Sequence, residues 1–423
     1  MARIMKDSGI EWIGMIPENW SIRKLKSIAK IQTGNTPDKN NAVFYSEEGM
    51  RWVKSDNLNG FIPVSDTVEK LSEEGVKVAR VASKGSTLVC CIGSIGKYGI
   101  IDEDMAYNQQ INAVTFNNDI VIDKFGSYLI SISESQHWLY ANGNVLKILN
   151  NEGQGKIVYA IPTILEQQKI VDFLDDKIGE VDTIISKTKA SIEEYKKYRK
   201  SIVIKAVTKG LYPDVPMKQT DSDGIGEIPA HWDYVRIQRL FETVDERNEN
   251  ENALLLSLYT ALGVKPRNEL EEKGNKASTV MNYKKVQKND VIVNKLLAWM
   301  GAIGYSDYEG VTSPDYDVYR ARKGANVVRN YYNEYFRNTC FNGDCYKYGH
   351  GIMLMRWRTY PEEFLRIRVP NPPLVEQQEI ADYLAEKCGE IDALIAKKEA
   401  FVEEMEAYKK SIIYEYVTGK KEV

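Results

Sequence analysis

Cysteine is scarce in this chain: Cys90, Cys91, Cys340, Cys345 and Cys388 are scattered over 423 residues. Five thiols so spread cannot make a disulfide framework for this length, and reduced cysteines are expected. Histidine is scarcer still, and His137, His231 and His350 form no triad with serine or cysteine. Cys340, Cys345 and His350 fall five apart but lack a fourth ligand, so ordinary thiols and a polar histidine are expected rather than a metal site. No run approaches about 18 uninterrupted apolar residues, and the opening MARIMKDSGIEWIGMIPENW has no apolar signal core. A cytoplasmic chain that meets no membrane is the expectation. Nucleotide loops are missing as well. GSIGKYG (93–99) lacks the G-x-x-x-x-G-K-[ST] spacing that cradles phosphate, which argues against ATP hydrolysis. The nearest approach to the D-P-P-Y tetrad of an amino-methyltransferase is SPDY (313–316), where Asp315 replaces the second proline and no F-x-G-x-G precedes it. That tetrad reads as the start of a strand. Acidic pairs such as Asp175 and Asp176 read as solvated helix surface.

What the chain has is repetition. With 43% hydrophobic and 27% charged residues it can bury ordinary cores, and its length suits two or three domains. IGMIPENWSIRKL (13–25) returns 212 residues later as IGEIPAHWDYVRI (225–237), aligning Trp20 with Trp232. LEQQKIVDFLDDKIGEVDTIISK (165–187) returns 210 residues later as VEQQEIADYLAEKCGEIDALIAK (375–397), aligning Glu166 with Glu376, Gln167 with Gln377 and Gly179 with Gly389. The chain is two half-chains of one design. Each opens with a Pro-Trp segment, passes through roughly 130 residues of mixed character and closes with a long helix. The middles barely resemble each other, although KGSTLVCCIGSIGKYGIID (84–102) lies over KNDVIVNKLLAWMGAIGYSD (288–307) as strands bracketing a glycine turn. STLVCCI, INAVTF, DVIVN and DVYRAR, punctuated by Gly, Asn and Asp, read as strands. Each middle is expected to be a compact α/β domain.

In the closing helices Val171, Leu174, Ile178, Val181, Ile185, Thr188, Ile192, Tyr195, Arg199 and Ile202 recur at alternating steps of three and four. The second copy gives Ala381, Leu384, Cys388, Ile391, Ile395, Lys398, Val402, Met405, Lys409 and Ile412. Such a heptad seam needs a partner helix, and the partner at hand is the other copy, antiparallel if the copies share a pseudo-twofold. About 45 helical residues at ~1.5 Å each make a rod on the order of 65 Å long. Two similar frames with dissimilar faces, held apart by rods, suit a long bipartite ligand. Double-stranded DNA is one, with half-sites on one face about 34 Å apart.

The layout resembles the specificity subunit of type I restriction-modification systems. The resemblance covers essentially the whole chain and is carried by IPENWSIRKL, TGNTP (33–37), RWVKSDNLNG (51–60) and the two P-x-x-x-E-Q-Q-x-I helix starts at Pro162 and Pro372. It implies an α+β fold: two α/β target recognition domains separated by a long antiparallel two-helix coiled coil, with an internal pseudo-twofold repeat. Residues 1–159 would form the first recognition domain, 160–210 the first spacer helix, 211–368 the second domain and 369–423 the second helix. It implies a non-catalytic subunit that recognises a bipartite asymmetric target in double-stranded DNA. That subunit would direct two methyltransferase subunits and restriction/translocase subunits to the target, and those partners would carry S-adenosylmethionine, ATP and Mg. The alternatives are a coiled-coil scaffold without nucleic acid, and a fused enzyme whose site goes unrecognised.

Charge complicates the DNA reading, because the chain is −4 overall, with a pI near 5.8. Residues 31–160 hold 11 basic against 15 acidic side chains, whereas residues 233–368 hold 21 against 18. A subunit acting inside an assembly can borrow backbone affinity, so weak DNA binding is expected of the chain alone. Arg and Lys suit guanine edges, and Asn and Gln suit adenine. On that ground the candidates in the first middle are Lys54, Asn57, Lys97, Tyr98, Asn108, Gln109, Gln110, Asn144 and Lys147. In the second, at comparable loop or strand-end places, they are Tyr259, Lys265, Arg267, Lys295, Trp299, Lys347, Tyr348, His350 and Arg356.

Overall fold

The structure is a computed structural model, and it describes residues 3–269, 279–351 and 357–423. The chain divides into two compact units, the first Met1–Thr188 with Ala400–Val423, the second Lys189–Glu399.

In the first unit β1 (Ala29–Thr33), β2 (Thr87–Cys90), β3 (Tyr98–Ile100) and β4 (Ile111–Phe116) form an antiparallel sheet in the order β1-β4-β2-β3. In the second, β5 (Phe241–Val244), β6 (Val291–Asn294), β7 (Ile303–Tyr305) and β8 (Tyr316–Ala321) take the order β5-β8-β6-β7, again antiparallel. The two orders are one topology. The predicted strands lie in these sheets, the aligned glycine-turn stretches are β2–β3 and β6–β7, and the SPDY stretch runs into β8 at Tyr316. The central strands are mostly buried and largely apolar because both sheet faces are covered, and alternate residues serve different cores. Val89, Val114 and Phe116 face one core with Trp20, Phe125 and Tyr128, while Leu88, Cys90, Ile111 and Ala113 face another with Val53, Leu58 and Tyr107. The second unit repeats this: Val291, Val293 and Tyr319 join Trp232, Tyr331, Tyr335 and Phe364, whereas Ile292 and Val318 join Leu256, Val264 and Val286.

The long helices are α1 (Ile164–Lys209) and α2 (Leu374–Val417). Within the first unit Phe173 meets Tyr416 at 4.4 Å between rings, and Lys409 Nζ donates to Asp182 at 2.6 Å. Within the second, Lys196 meets Glu399 at 3.7 Å and Arg199 Nε meets Asp392 at 2.8 Å. In both units partner numbers fall as residue numbers rise, so the paired segments are antiparallel. Val171, Leu174, Ile178, Val181, Ile185 and Ile192 are buried, as are Leu384, Ile391, Ile395 and Val402, at 9% exposure or less. Seam residues of this size each contribute about 1.5–3 kcal/mol by leaving water. The polar seam residues Thr188 and Lys398 are half-buried, with Lys398 Nζ 5.6 Å from the Tyr195 ring. The helix ends are more than spacer: Ile170, Leu174, Ile412 and Val417 belong to the first unit's core, and Val203, Val207, Ile380 and Leu384 to the second's.

The two most repeated sequences prove to be halves of one joint. Trp20 Nε1 donates to Glu166 at 3.1 Å, a carboxylate that Arg3 also pairs. Trp232 Nε1 donates to Glu376 at 2.8 Å. Gln167, fully buried, accepts from Ile122 N (3.0 Å) and donates to the Ile120 and Pro162 carbonyls. Gln377 does the same with Val328 N (2.8 Å) and the Asn326 and Pro372 carbonyls. The second glutamine, Gln168 or Gln378, bonds Asp172 or Asp382 on the outer surface. The strand after each tryptophan pairs with the strand before each helix: Ser21–Lys24 with Val158–Ile161, and Asp233–Arg236 with Arg368–Asn371. Buried amides must be bonded, and this motif satisfies them with the backbone it locks.

Candidate nucleic-acid interface

In the first unit the loop between β2 and β3 organises the candidates. Cys91 N–H donates to Gln110 O (2.7 Å), and Leu149 N–H donates to Cys91 O (2.9 Å). Three segments are thereby stitched side by side, bearing Lys97, Asn108 to Gln110, and Asn144 with Lys147. Lys97 Nζ donates to Ser55 O (2.8 Å) and Asn108 N–H to Val53 O (3.0 Å), which adds the turn holding Lys54 and Asn57. Sequence positions nearly a hundred residues apart thus meet at one end of the sheet.

The set then sorts by what each side chain already holds. Asn108 is 6% exposed, its carbonyl oxygen accepting from Gln110 N and its amide donating to the Gln110 side chain. Asn57 accepts from Lys54 N at 2.8 Å, and the Lys54 ammonium pairs with Glu69 above the Trp52 ring. Tyr98 turns inward, edge-on to Phe61 at 5.3 Å, and burial pushes its hydroxyl pKa up. Lys97, Gln109, Asn144 and Lys147 are exposed. Asn144 and Lys147 present their chemistry outward, Lys97 holds Ser55 O and Gln109 accepts from Thr36 Oγ1 while exposed, and the others build the turns beneath them.

In the second unit Thr359 N–H donates to Lys295 O at 3.0 Å, which brings the β6–β7 loop beside the stretch after residue 356. Trp299 lies edge-on to Tyr346 at 6.0 Å, and Tyr346 stacks on Trp357 at 4.9 Å. His350 and Arg358 exchange backbone hydrogen bonds (2.9 and 3.1 Å), and the His350 ring lies 5.1 Å from Tyr360. Lys295, Trp299 and His350 therefore gather around an aromatic stack. Tyr259 and Lys265 sit on the hairpin Leu256–Tyr259 with Gly263–Pro266, with Arg267 just after it and Lys265 5.9 Å from the Tyr308 ring. Lys347 and Tyr348 are not in a loop or at a strand end. They close the helix Thr339–Tyr348, because Asn338 caps its start by accepting from Cys340 N and Phe341 N. That helix directs Lys347 to Asp221 O (3.0 Å) and Asp223, and packs Tyr348 against the core. Arg356 lies outside the described residues.

Cys340 and Cys345 are buried on that same helix while His350 is exposed beyond its end; among the described residues no group of three ligating side chains could hold a metal ion. No helix among them is long and apolar enough to cross a membrane. Sequence reasoning marks CYKYGHGIMLMRWR (345–358) as the densest Arg and aromatic patch but names neither Tyr346 nor Trp357, which stack within it, and it overlooks the apolar tip Val145–Leu146, exposed between Asn144 and Lys147. An apolar pair inside the turn-rich ANGNVLKILN was the signal for the latter.

Residues 17–194 match the family model described as type I restriction modification DNA specificity domain. The chain is 24% identical over 426 residues to the MjaX type I restriction enzyme specificity subunit of Methanocaldococcus jannaschii, covering 96% of this chain and 95% of that protein. It is 24% identical over 239 residues to the MjaVIII specificity subunit of the same organism, covering 54% of this chain and spanning about half (50%) of that relative's length. A solved chain from work on complex assembly and conformational transition of the type I restriction-modification system superposes with a TM-score of 0.70 at 14% identity, over 96% of this chain and 99% of that one. At that identity the likeness speaks for the fold, and the fold it speaks for is the duplicated one described above. The chain is thus similar to type I restriction-modification specificity subunits, by a domain model on its first half and by one relative along almost its full length.

Proposed function

We infer that the chain reads an asymmetric, bipartite target in duplex DNA, one half-site per unit, and brings methyltransferase and restriction subunits to it without chemistry of its own. One observation carries this: the same sheet order and the same helix joints stand beneath unlike loop sets. A duplicated frame with diverged edges suits a ligand that repeats in shape and differs in sequence. In the first unit, Lys97 and Lys147 are suited to guanine or phosphate, and Gln109 and Asn144 to adenine. In the second, Lys295, Trp299 and His350 are the corresponding group. The recognition domains are residues 1–159 and 211–368, and the helices between and after them set the unread gap. Two methyltransferase subunits and the restriction/translocase subunits would supply S-adenosylmethionine, ATP and Mg chemistry in the cytoplasm.

Methylome sequencing with and without this gene tests the reading: one split adenine motif should vanish on deletion, and an unchanged methylome would sink it. Inserting one heptad into the 178–202 region should lengthen the gap and spare the half-site bases. Purified chain without partners should bind random duplex only weakly at physiological salt.

A further inference from the structure

The loop bearing Asn144 and Lys147 has an unusual tip. Asn142 and Ile148 exchange two backbone hydrogen bonds (3.0 and 2.8 Å) and close a five-residue turn. Gly143 has φ +124, and a Cβ there would meet Leu146 O at 2.2 Å, so only glycine lets the chain fold back so tightly. The base is anchored by Leu149, buried with Cys91, Ile95 and Ala141. From this fixed base Val145 projects fully exposed (102%) and Leu146 is 55% exposed. A rigid turn that holds an apolar pair in water wants an occupant.

Its neighbours identify the occupant's chemistry. Asn144 and Lys147 flank the tip, and the adjoining segments bring Lys97 and Gln109, a set of donors suited to phosphates and base edges. In the second unit a different loop, between β6 and β7, also exposes apolar side chains, Leu297 (39%) and Met300 (51%), beside Trp299. We propose that Val145 and Leu146 are an apolar wedge that enters duplex DNA and partly unstacks one base step of the half-site taken by the first unit, with Asn144 and Lys147 holding the flanking strands. Side chains of this kind unstack steps in architectural DNA-binding proteins, and specificity then also draws on how easily a step deforms. The proposal rests on the DNA reading above and adds a mechanical element to it.

The test uses the full chain assembled with its methyltransferase subunits, and duplexes that carry the methylome-defined target with 2-aminopurine at successive steps. Fluorescence should rise at one step of one half-site. The V145S/L146S double variant should lose that rise and bind about tenfold more weakly, with the methylated motif unchanged; Val145→Met, which keeps the tip apolar, should retain the signal. Tight binding with no bright step would overturn the wedge while leaving the DNA reading intact, as would a double variant that still brightens the same step. A double variant that melts like wild type but no longer assembles with methyltransferase would show the tip to be a protein contact, and would also overturn it. Failure of the wild-type assembly to bind any target duplex would remove the DNA reading and the wedge together.

Discussion

The two units differ where they touch solvent and agree where they hold themselves together. Both order their four sheet strands first, fourth, second, third, both cover the sheet with two apolar cores, and both lock an opening tryptophan to a helix glutamate. Yet the first unit's edge is a set of amide and lysine turns, and the second's is an aromatic stack with Lys295 and His350 on neighbouring segments. The lesson is a division of labour within one sequence. Residues that recur 210 or 212 positions later carry architecture, and residues without a counterpart form the edges to which the proposed function assigns recognition.

If that division is right, damage to the shared joint should cost both units alike. Trp20→Ala and Trp232→Ala should each lose about 3–5 kcal/mol, read by denaturant unfolding, because each empties a fully buried site. A large loss in one and none in the other would break the equivalence. Gln167→Leu and Gln377→Leu should follow at about 2–4 kcal/mol each, since both remove a buried amide that satisfies a backbone N–H and two carbonyls.

The diverged parts should respond to pH in opposite senses. His137 in the first unit is buried with neither ring nitrogen bonded, and burial lowers its pKa from 6.5 to about 4. Below pH 6.5 the unfolded chain binds a proton that the folded chain refuses, so this contribution is complete above pH 6.5 and is lost as pH falls toward 4. Asp344 in the second unit is raised from 3.8 to about 6 by burial, against a lowering hydrogen bond from Ser222. There the folded chain keeps a proton that the unfolded chain has released, so stability falls as pH rises from 3.8 to about 6. Each effect is at most about 3 kcal/mol. His137→Phe should flatten the first slope and Asp344→Asn the second, in thermal melts across pH 4–7. The smallest effect belongs to the repeated ion pairs: breaking Asp182–Lys409 or Arg199–Asp392 should cost no more than about 1 kcal/mol, because these residues remain partly exposed.

The repeat made the frame legible. Periodicity gave the seam residues: Val171, Leu174, Ile178, Val181, Ile185, Ile192, Leu384, Ile391, Ile395 and Val402 are buried, whereas Thr188, Tyr195, Arg199, Ile202 and Lys398 are half-buried. Strand runs such as INAVTF could be read because both sheet faces are covered. The site was legible only as patches. Lys97, Gln109, Asn144 and Lys147 reach solvent together, but nothing in one dimension shows that Asn108 would fold its amide onto Gln110, or that Tyr98 would turn inward toward Phe61. Those outcomes depend on hydrogen bonds made across 18 to 58 positions around Cys91. Lys347 was misplaced because a helix cap at Asn338 outweighed the turn-like look of CYKYGHG. The role of the glutamine pair was hidden for a similar reason: Gln167 and Gln168 look alike in sequence, and only burial separates the one that locks a loop from the one that faces water.

The most direct test exchanges one reader and leaves the frame alone. Residues 31–160 would be replaced by the corresponding stretch of a similar specificity subunit, and the methylome of a host carrying the chimera sequenced. The account predicts that one half-site changes to the donor's while the other half-site and the gap stay as they were. A chimera that assembles and methylates, yet alters both half-sites or the gap, would contradict it.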